Sequence, residues 1–241
     1  LDNFVNMDSR SVLCCLVDKK EIDNPLHSTD VALNWITSLK IKYELNAELI
    51  GLRRVNDWIK DEYEIRHVSD SYFRINAVKV KANTREVTEW CQPMNKSTEA
   101  GLVGFLVAKV NDTLHFLTRG IVEVGNIDIL HLAPTIQCSM YAKRYQERHK
   151  CPPYIDIFLN ANGEILYDQL QSEEGGRFYH SQSRHMIIKV DDYEKIDLRD
   201  DYMWISYNQA LDFTRHGYFN IEGRSLMSCL GLTKQMVVNN G

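Results

Sequence analysis

No stretch of this chain is apolar for long enough to span a bilayer, and its first residues carry no charged-then-apolar signal pattern. It therefore reads as a cytoplasmic protein that enters no membrane. Strong charge of either sign is missing too. The formal net charge of −5 argues against nucleic-acid binding, although it leaves room for a local basic pocket. Cys14, Cys15, Cys91, Cys138, Cys151 and Cys229 include no CxxC pair, and their spacing fits no zinc ligand set. They read as reduced, mostly buried thiols, none in a context that marks an activated nucleophile. The sequence also lacks GxSxG, HExxH, a Walker loop and GxGxxG. No metal and no cofactor is indicated.

What is present suffices for one large domain, since 241 residues with 44% hydrophobic content can bury a substantial core. Residues 17–29 are polar, contain Pro25 and read as a linker. The apolar spacing from Thr29 to Leu45 predicts a helix with Thr29 or Asp30 as its N-cap, and a shorter helix is expected over residues 46–61. From Glu64 to Val190 the pattern turns to strands. Asn111-Asp112, Gly125-Asn126 and Asn162-Gly163 mark turns, the first between two apolar runs in the manner of a hairpin. Residues 141–150 suggest a charged helix, while Ser206–Arg215 and Ser225–Leu230 suggest closing helices. The expected class is α+β, a mostly antiparallel sheet flanked by helices.

The chain also repeats itself. Setting Phe4 against Tyr218 aligns thirteen residues without a gap, with identity at Asn6/Asn220, Arg10/Arg224, Ser11/Ser225, Cys15/Cys229 and Leu16/Leu230. Asp8 faces Glu222 in the same register. Such repetition suggests that residues 1–24 are the tail of a preceding module or a linker, and that 25–241 form one module ending in the same motif.

Four stretches carry possible chemistry. In EVTEWCQPM, Trp90 offers a stacking face and Gln92 an amide; a buried Trp before a strand-ending Pro is the plain alternative. In HLAPTIQCS, Thr135 and Gln137 stand two apart and would share one face of a strand, lining a pocket or a half-exposed surface. The run from Tyr141 to Tyr154 holds Arg144 among other cations suited to diphosphate oxygens, or a solvated helix face. QSEEGGRFYHSQSRH places Glu173, Glu174, Arg177, Tyr179, His180, Arg184 and His185 around Gly175-Gly176, which permit tight backbone geometry. On a strand, Arg177 and Tyr179 would share one face and Phe178 and His180 the other. A polar loop entering an edge strand is the alternative.

Taken in order, EWCQP, LAPTIQ and SEEGGRFYHSQSR resemble the NDP-hexose 2,3-dehydratases of deoxysugar biosynthesis, over most of the chain from about Ala32 onward. The resemblance implies a Nudix-like fold, a chain usually built of two homologous modules, and dimerisation. SEEGGRFYH is more like the second module's version of its motif, and VNMDSRSVLCCL looks like the close of a first module. Only the fold is Nudix-like. Aligning Glu173-Glu174-Gly175-Gly176 with the end of a Nudix box puts Gln169 and Leu170 where Arg and Glu belong, so pyrophosphohydrolase activity is not expected.

By the same resemblance, the substrate is a nucleoside-diphospho-4-keto-6-deoxyhexose. A base removes the acidified proton on carbon 3, and the carbon-2 hydroxyl leaves with help from an acid. The product is a 3,4-diketo-2,6-dideoxy sugar, which a downstream ketoreductase is expected to take. Glu174 or His180 is the candidate base and Tyr179 the acid or oxyanion donor. Trp90, Gln92, Thr135, Gln137, Arg144, Tyr154, Arg177 and Arg184 are the candidate substrate contacts, with the diphosphate assigned to Arg177 and Arg144. Two other readings stand beside this one: a non-catalytic nucleotide-sugar binding and dimerisation module, and a sugar-nucleotide epimerase or isomerase.

Overall fold

A computed structural model of the chain describes residues 23–139 and 151–238. The long apolar run of β5 (Gly101–Val110) organises the molecule. On one face, Val103, Phe105 and Val107 pack with Ile36 and Leu39 of α1 (Thr29–Lys42), Phe213 of α3 (Tyr207–Arg215) and Leu226 of α4 (Ile221–Val238). On the other, Leu102, Leu106 and Ala108 meet Ile155 and Phe158 of the short helix α2 (Ile155–Leu159) and Trp204 of β11 (Tyr202–Ser206). A strand covered on both faces needs apolar residues at successive positions, so the run does not alternate. Each large side chain so buried stabilises the fold by roughly 1.5–3 kcal/mol. Gly104 lets the α2 face approach, because a Cβ there would lie 2.2 Å from Phe158.

The large sheet runs β11–β6–β5–β10–β9, with β6 Thr113–Val122, β9 Glu164–Ser172 and β10 Gln182–Lys189. The β5–β10 pairing is parallel and its other pairings are antiparallel. β5 and β6 pair only at their hairpin end, where Asn111 and Asp112 both take positive φ (50° and 61°), the geometry of a type I′ turn. Beyond it the two strands diverge around β7 (Leu130–Ala133), which pairs with β6, and β8 (Ile136–Cys138), which pairs with β5. Thr135 sits at the fork with no exposed surface. Its hydroxyl accepts from Leu106 N–H at 2.8 Å and donates to the Leu117 carbonyl, supplying the backbone partners that the parting strands cannot give each other.

A second sheet, β1 (Trp58–Lys60) to β4 (Glu89–Lys96) through β2 (Glu64–His67) and β3 (Arg74–Lys81), is an antiparallel meander. It is built differently, for no side chain from residue 43 to residue 101 is buried. Polar and aromatic contacts tie it together. Arg74 reaches Glu64 at 3.0 Å and Asp70 at 2.8 Å, and the rings of Trp58, His67, Tyr72 and Phe73 form one cluster.

The α+β class holds. At α1 the cap is Ser28, whose Oγ accepts from Val31 N–H at 3.3 Å, rather than Thr29 or Asp30. The helix expected over 46–61 is absent. That segment holds a 3-10 turn (Leu52–Arg54) and β1, and Leu49 and Leu52 stay fully exposed, so no apolar stripe is docked to reward a helix. No helix among the described residues is long and apolar enough to cross a membrane. The aligned repeat (4–16) and the charged run 141–150 lie outside the described residues.

Candidate active site

The β9–β10 connection begins where the ladder ends and folds back on the small sheet. Gly176 (φ 87°) and His180 (φ 53°) both occupy the left-handed region, which glycine reaches without strain. Between them Arg177–Tyr179 runs beside the free edge of β4. Asn95 N–H donates to the Arg177 carbonyl and Tyr179 N–H to the Asn95 carbonyl, each at 2.7 Å. Gln92 finishes the join, donating its amide to the Gly176 carbonyl at 2.6 Å and accepting from Trp90 Nε1–H at 2.6 Å. EWCQP and SEEGGRFYH are therefore one physical unit, separated by about eighty residues of chain but held together by three hydrogen bonds between β4 and the loop, one from Gln92 and two at Asn95.

Behind this join lie two adjoining hollows of about 180 and 200 Å³ that share Val103, Glu173, Phe178 and Glu222. The start of β5, Gln137 of β8 and the first turn of α4 form their walls. Asn220 sets that first turn by accepting from Gly223 N–H at 3.0 Å, as an N-cap does. Its amide donates to Gln137 Oε1 at 2.7 Å, and Gln137 Nε2 donates to Glu123 at 3.0 Å. Ser183 is hydrogen-bonded to Glu173. Three carboxylates thus converge. Burial, first, and then the charges of Glu123 and Glu173 push the Glu222 carboxyl above its ordinary value; its own backbone N–H and Arg224 oppose the shift. A larger hollow of about 350 Å³ lies beyond Gln137, beside Tyr43, Arg119 and Asp201. Its Arg119 and Asp201 pair at 3.0 Å, and its Glu123 accepts from Gln137, so the carboxylate groove is the better place for proton transfer.

The residues singled out from the sequence fall into three groups. Trp90, Gln92 and Arg177 belong to the join or its rim, and Gln137 lines the groove. Glu174 also lines it but is exposed and paired with Arg177 at 2.9 Å. Tyr179 and His180 stand outside the two hollows. Their rings stack at 4.3 Å, because the left-handed backbone at His180 cancels the alternation that would have put them on opposite faces. The third group is elsewhere. Thr135 does not share a face with Gln137; it is sealed in the strand fork. Tyr154 packs edge-to-face on Tyr202 in the second core cluster, its hydroxyl donating to the Asp197 carbonyl at 2.8 Å. Arg184 forms a two-pronged pair with Asp168 across β9 and β10, at 2.7 and 2.6 Å. Arg144 lies outside the described residues.

The profile of a known family, described as NDP-hexose 2,3-dehydratase, matches residues 29–230. The chain belongs to the NDP-hexose 2,3-dehydratase family. Among its relatives are proteins named dTDP-4-dehydro-6-deoxy-alpha-D-glucopyranose 2,3-dehydratase. That of Streptomyces violaceoruber is 37% identical over 95% of this chain and 54% of its own length. That of Amycolatopsis orientalis is 36% identical over 95% and 49%. This chain therefore spans about half the length of the curated relatives it matches. A solved structure titled "Crystal structure of ADP compounds hydrolase" covers 71% of this chain and 89% of its own at a TM-score of 0.43 and 13% identity, too slight a likeness to carry an argument.

For this member of the dehydratase family, sequence reasoning missed Glu222, Asn220 and Glu123, and it passed over Glu173 in favour of Glu174. One signal pointed to two of them, since the terminal repeat pairs Asn220 with Asn6 and Glu222 with Asp8. The stretch aligned with a Nudix box is strand β9 and the turn after it, so no helix presents its carboxylates.

Proposed function

We propose that this module binds a nucleoside-diphospho-4-keto-6-deoxyhexose and removes water across carbons 2 and 3. The observation that carries the reading is the join itself, in which the family-like motifs assemble one lip of a carboxylate-lined groove. Diphosphate and carboxylates repel, so the diphosphate belongs at the rim with Arg177 and the hexose farther in, beside Gln137. A carboxylate takes the carbon-3 proton, which the neighbouring 4-keto group acidifies. Expulsion of the carbon-2 hydroxyl as water and tautomerisation of the resulting enol give the 3,4-diketo sugar. A labile diketone calls for a ketoreductase as the next step.

The chain's half-length coverage of its relatives favours one second reading, a nucleotide-sugar binding module that pairs with a homologous module or with its own copy. In that arrangement residues 1–24 close a preceding module and 25–241 form this one, in the cytoplasm.

Incubation with dTDP-4-keto-6-deoxyglucose, followed by reductive trapping and mass analysis, tests both. Loss of one water is expected. Binding of the nucleotide sugar with its mass unchanged would reject catalysis by this module and support the second reading, and an isomeric product of unchanged mass would indicate an epimerase.

A further inference from the structure

The dehydratase reading requires a base, and four carboxylates come into question: Glu173, Glu174 and Glu222, which line the groove, and Glu123, which lies beyond Gln137 in the larger hollow. Glu123 accepts from Gln137 Nε2. Glu173 is bonded by Ser183. Glu174 is exposed and paired with Arg177. Among the described residues, Glu222 alone of the four has no side-chain donor and no ion-pair partner. It lines both hollows, on the first turn of a helix whose cap, Asn220, is tied through Gln137 to β8. Its backbone is thus held in place while its carboxylate is engaged only by its own backbone N–H.

We propose that Glu222 is the acid–base residue of the dehydration, acting on both carbons from one face of the sugar. Its carboxylate takes the proton from carbon 3, and the electron pair of that C–H bond moves into a C3–C4 enolate. When the carbonyl at carbon 4 reforms, the C2–C3 double bond forms and the C2–O bond breaks. The departing hydroxide takes the proton now on Glu222 and leaves as water, returning the carboxylate to its starting state. No oxidant, reductant or second proton donor is needed. Three observations support the role. Burial and the two neighbouring carboxylates make Glu222 a stronger base than an exposed glutamate. The hollow beside it is large enough for a sugar ring rather than for solvent alone. The other copy of the terminal motif keeps an acid, Asp8, at the matching position.

The role rests on the dehydratase reading, so the test separates the two. With the purified chain in deuterium oxide and dTDP-4-keto-6-deoxyglucose, exchange at carbon 3 and loss of water are followed for wild type, Glu222→Gln and Glu222→Asp, with dTDP affinity measured by calorimetry. Glu222→Gln is expected to lose both exchange and water loss by roughly 10²–10⁴-fold, the usual contribution of a general acid–base group, with dTDP affinity kept. Glu222→Asp keeps the charge at shorter reach and is expected to fold like wild type and to exchange roughly 10²-fold more slowly. If either variant exchanges within a few-fold of a turning-over wild type, the base is another group and the dehydratase reading stands. If wild type binds the sugar nucleotide but neither exchanges nor dehydrates it, both the role and the reading fall.

Discussion

Gln92 of the small sheet and Gly176 of the loop between β9 and β10 are joined by a 2.6 Å hydrogen bond from the glutamine amide to the glycine carbonyl. The glycine carbonyl is presented at positive φ, and the amide is oriented by Trp90. This one bond ties the lip of the groove to the small sheet at the point where the loop turns.

Gln92→Leu removes that bond and leaves the lip less well positioned. Calorimetry should show dTDP-sugar affinity reduced about tenfold, equivalent to about 1.4 kcal/mol, with little change in the unfolding of the main sheet. An unchanged affinity would mean that the backbone pairing at Asn95 positions the lip unaided.

At the strand fork, Thr135→Val keeps the shape and deletes the hydroxyl. The Leu106 N–H and Leu117 carbonyl then lose their partner inside the core. Urea denaturation should show a loss of roughly 2–6 kcal/mol, from two buried backbone groups at about 1–3 each. A variant of normal stability with a raised KM would instead return Thr135 to the substrate.

Gly104→Ala puts a methyl group 2.2 Å from Phe158. The expected cost is about 1–3 kcal/mol of overpacking, part of it recovered when Phe158→Leu is added. Additive losses in the double variant would show that the two positions do not compete for the same space.

Stability should depend on pH through Glu222. Its carboxyl is held above the ordinary 4.5 in the folded protein, mainly by burial, so the unfolded chain ionises first as the pH rises. Native stability therefore falls as the pH climbs from 4.5 through the raised value and levels off above it. Glu222→Gln escapes that loss. Its chemical denaturation midpoint should exceed the wild type's at neutral pH and converge with it below the ordinary value; a constant gap at all pH values would exclude ionisation as the cause.

The main sheet could be read from the sequence because its signals are local. The turn at Asn111-Asp112, the apolar run of β5 and the strand from His185 each declare themselves within a few residues. The helix expected at 46–61 could not be judged that way, because whether a helix forms there depends on what it packs against, and Leu49 and Leu52 meet no core. The site was half legible. Trp90, Gln92, Arg177 and Gln137 stand in or beside short motifs, and the fold brings those motifs together. Glu222 sits in a helix start with no chemistry around it in sequence and gains its character from Glu123 and Glu173, both distant along the chain. Thr135 misled because two-residue spacing implies a shared face only inside a strand, and β8 begins one residue later.

The small sheet has no buried side chain between residues 43 and 101, yet its last strand carries the lip of the groove. Amide protons of β1–β4 should therefore exchange with solvent through local openings that the main core never undergoes. Each such opening also releases Arg177–Tyr179. A ligand held by the lip closes those openings in proportion to its occupancy, so slowed exchange in the small sheet, far along the chain from Glu222, becomes a direct report on what fills the groove.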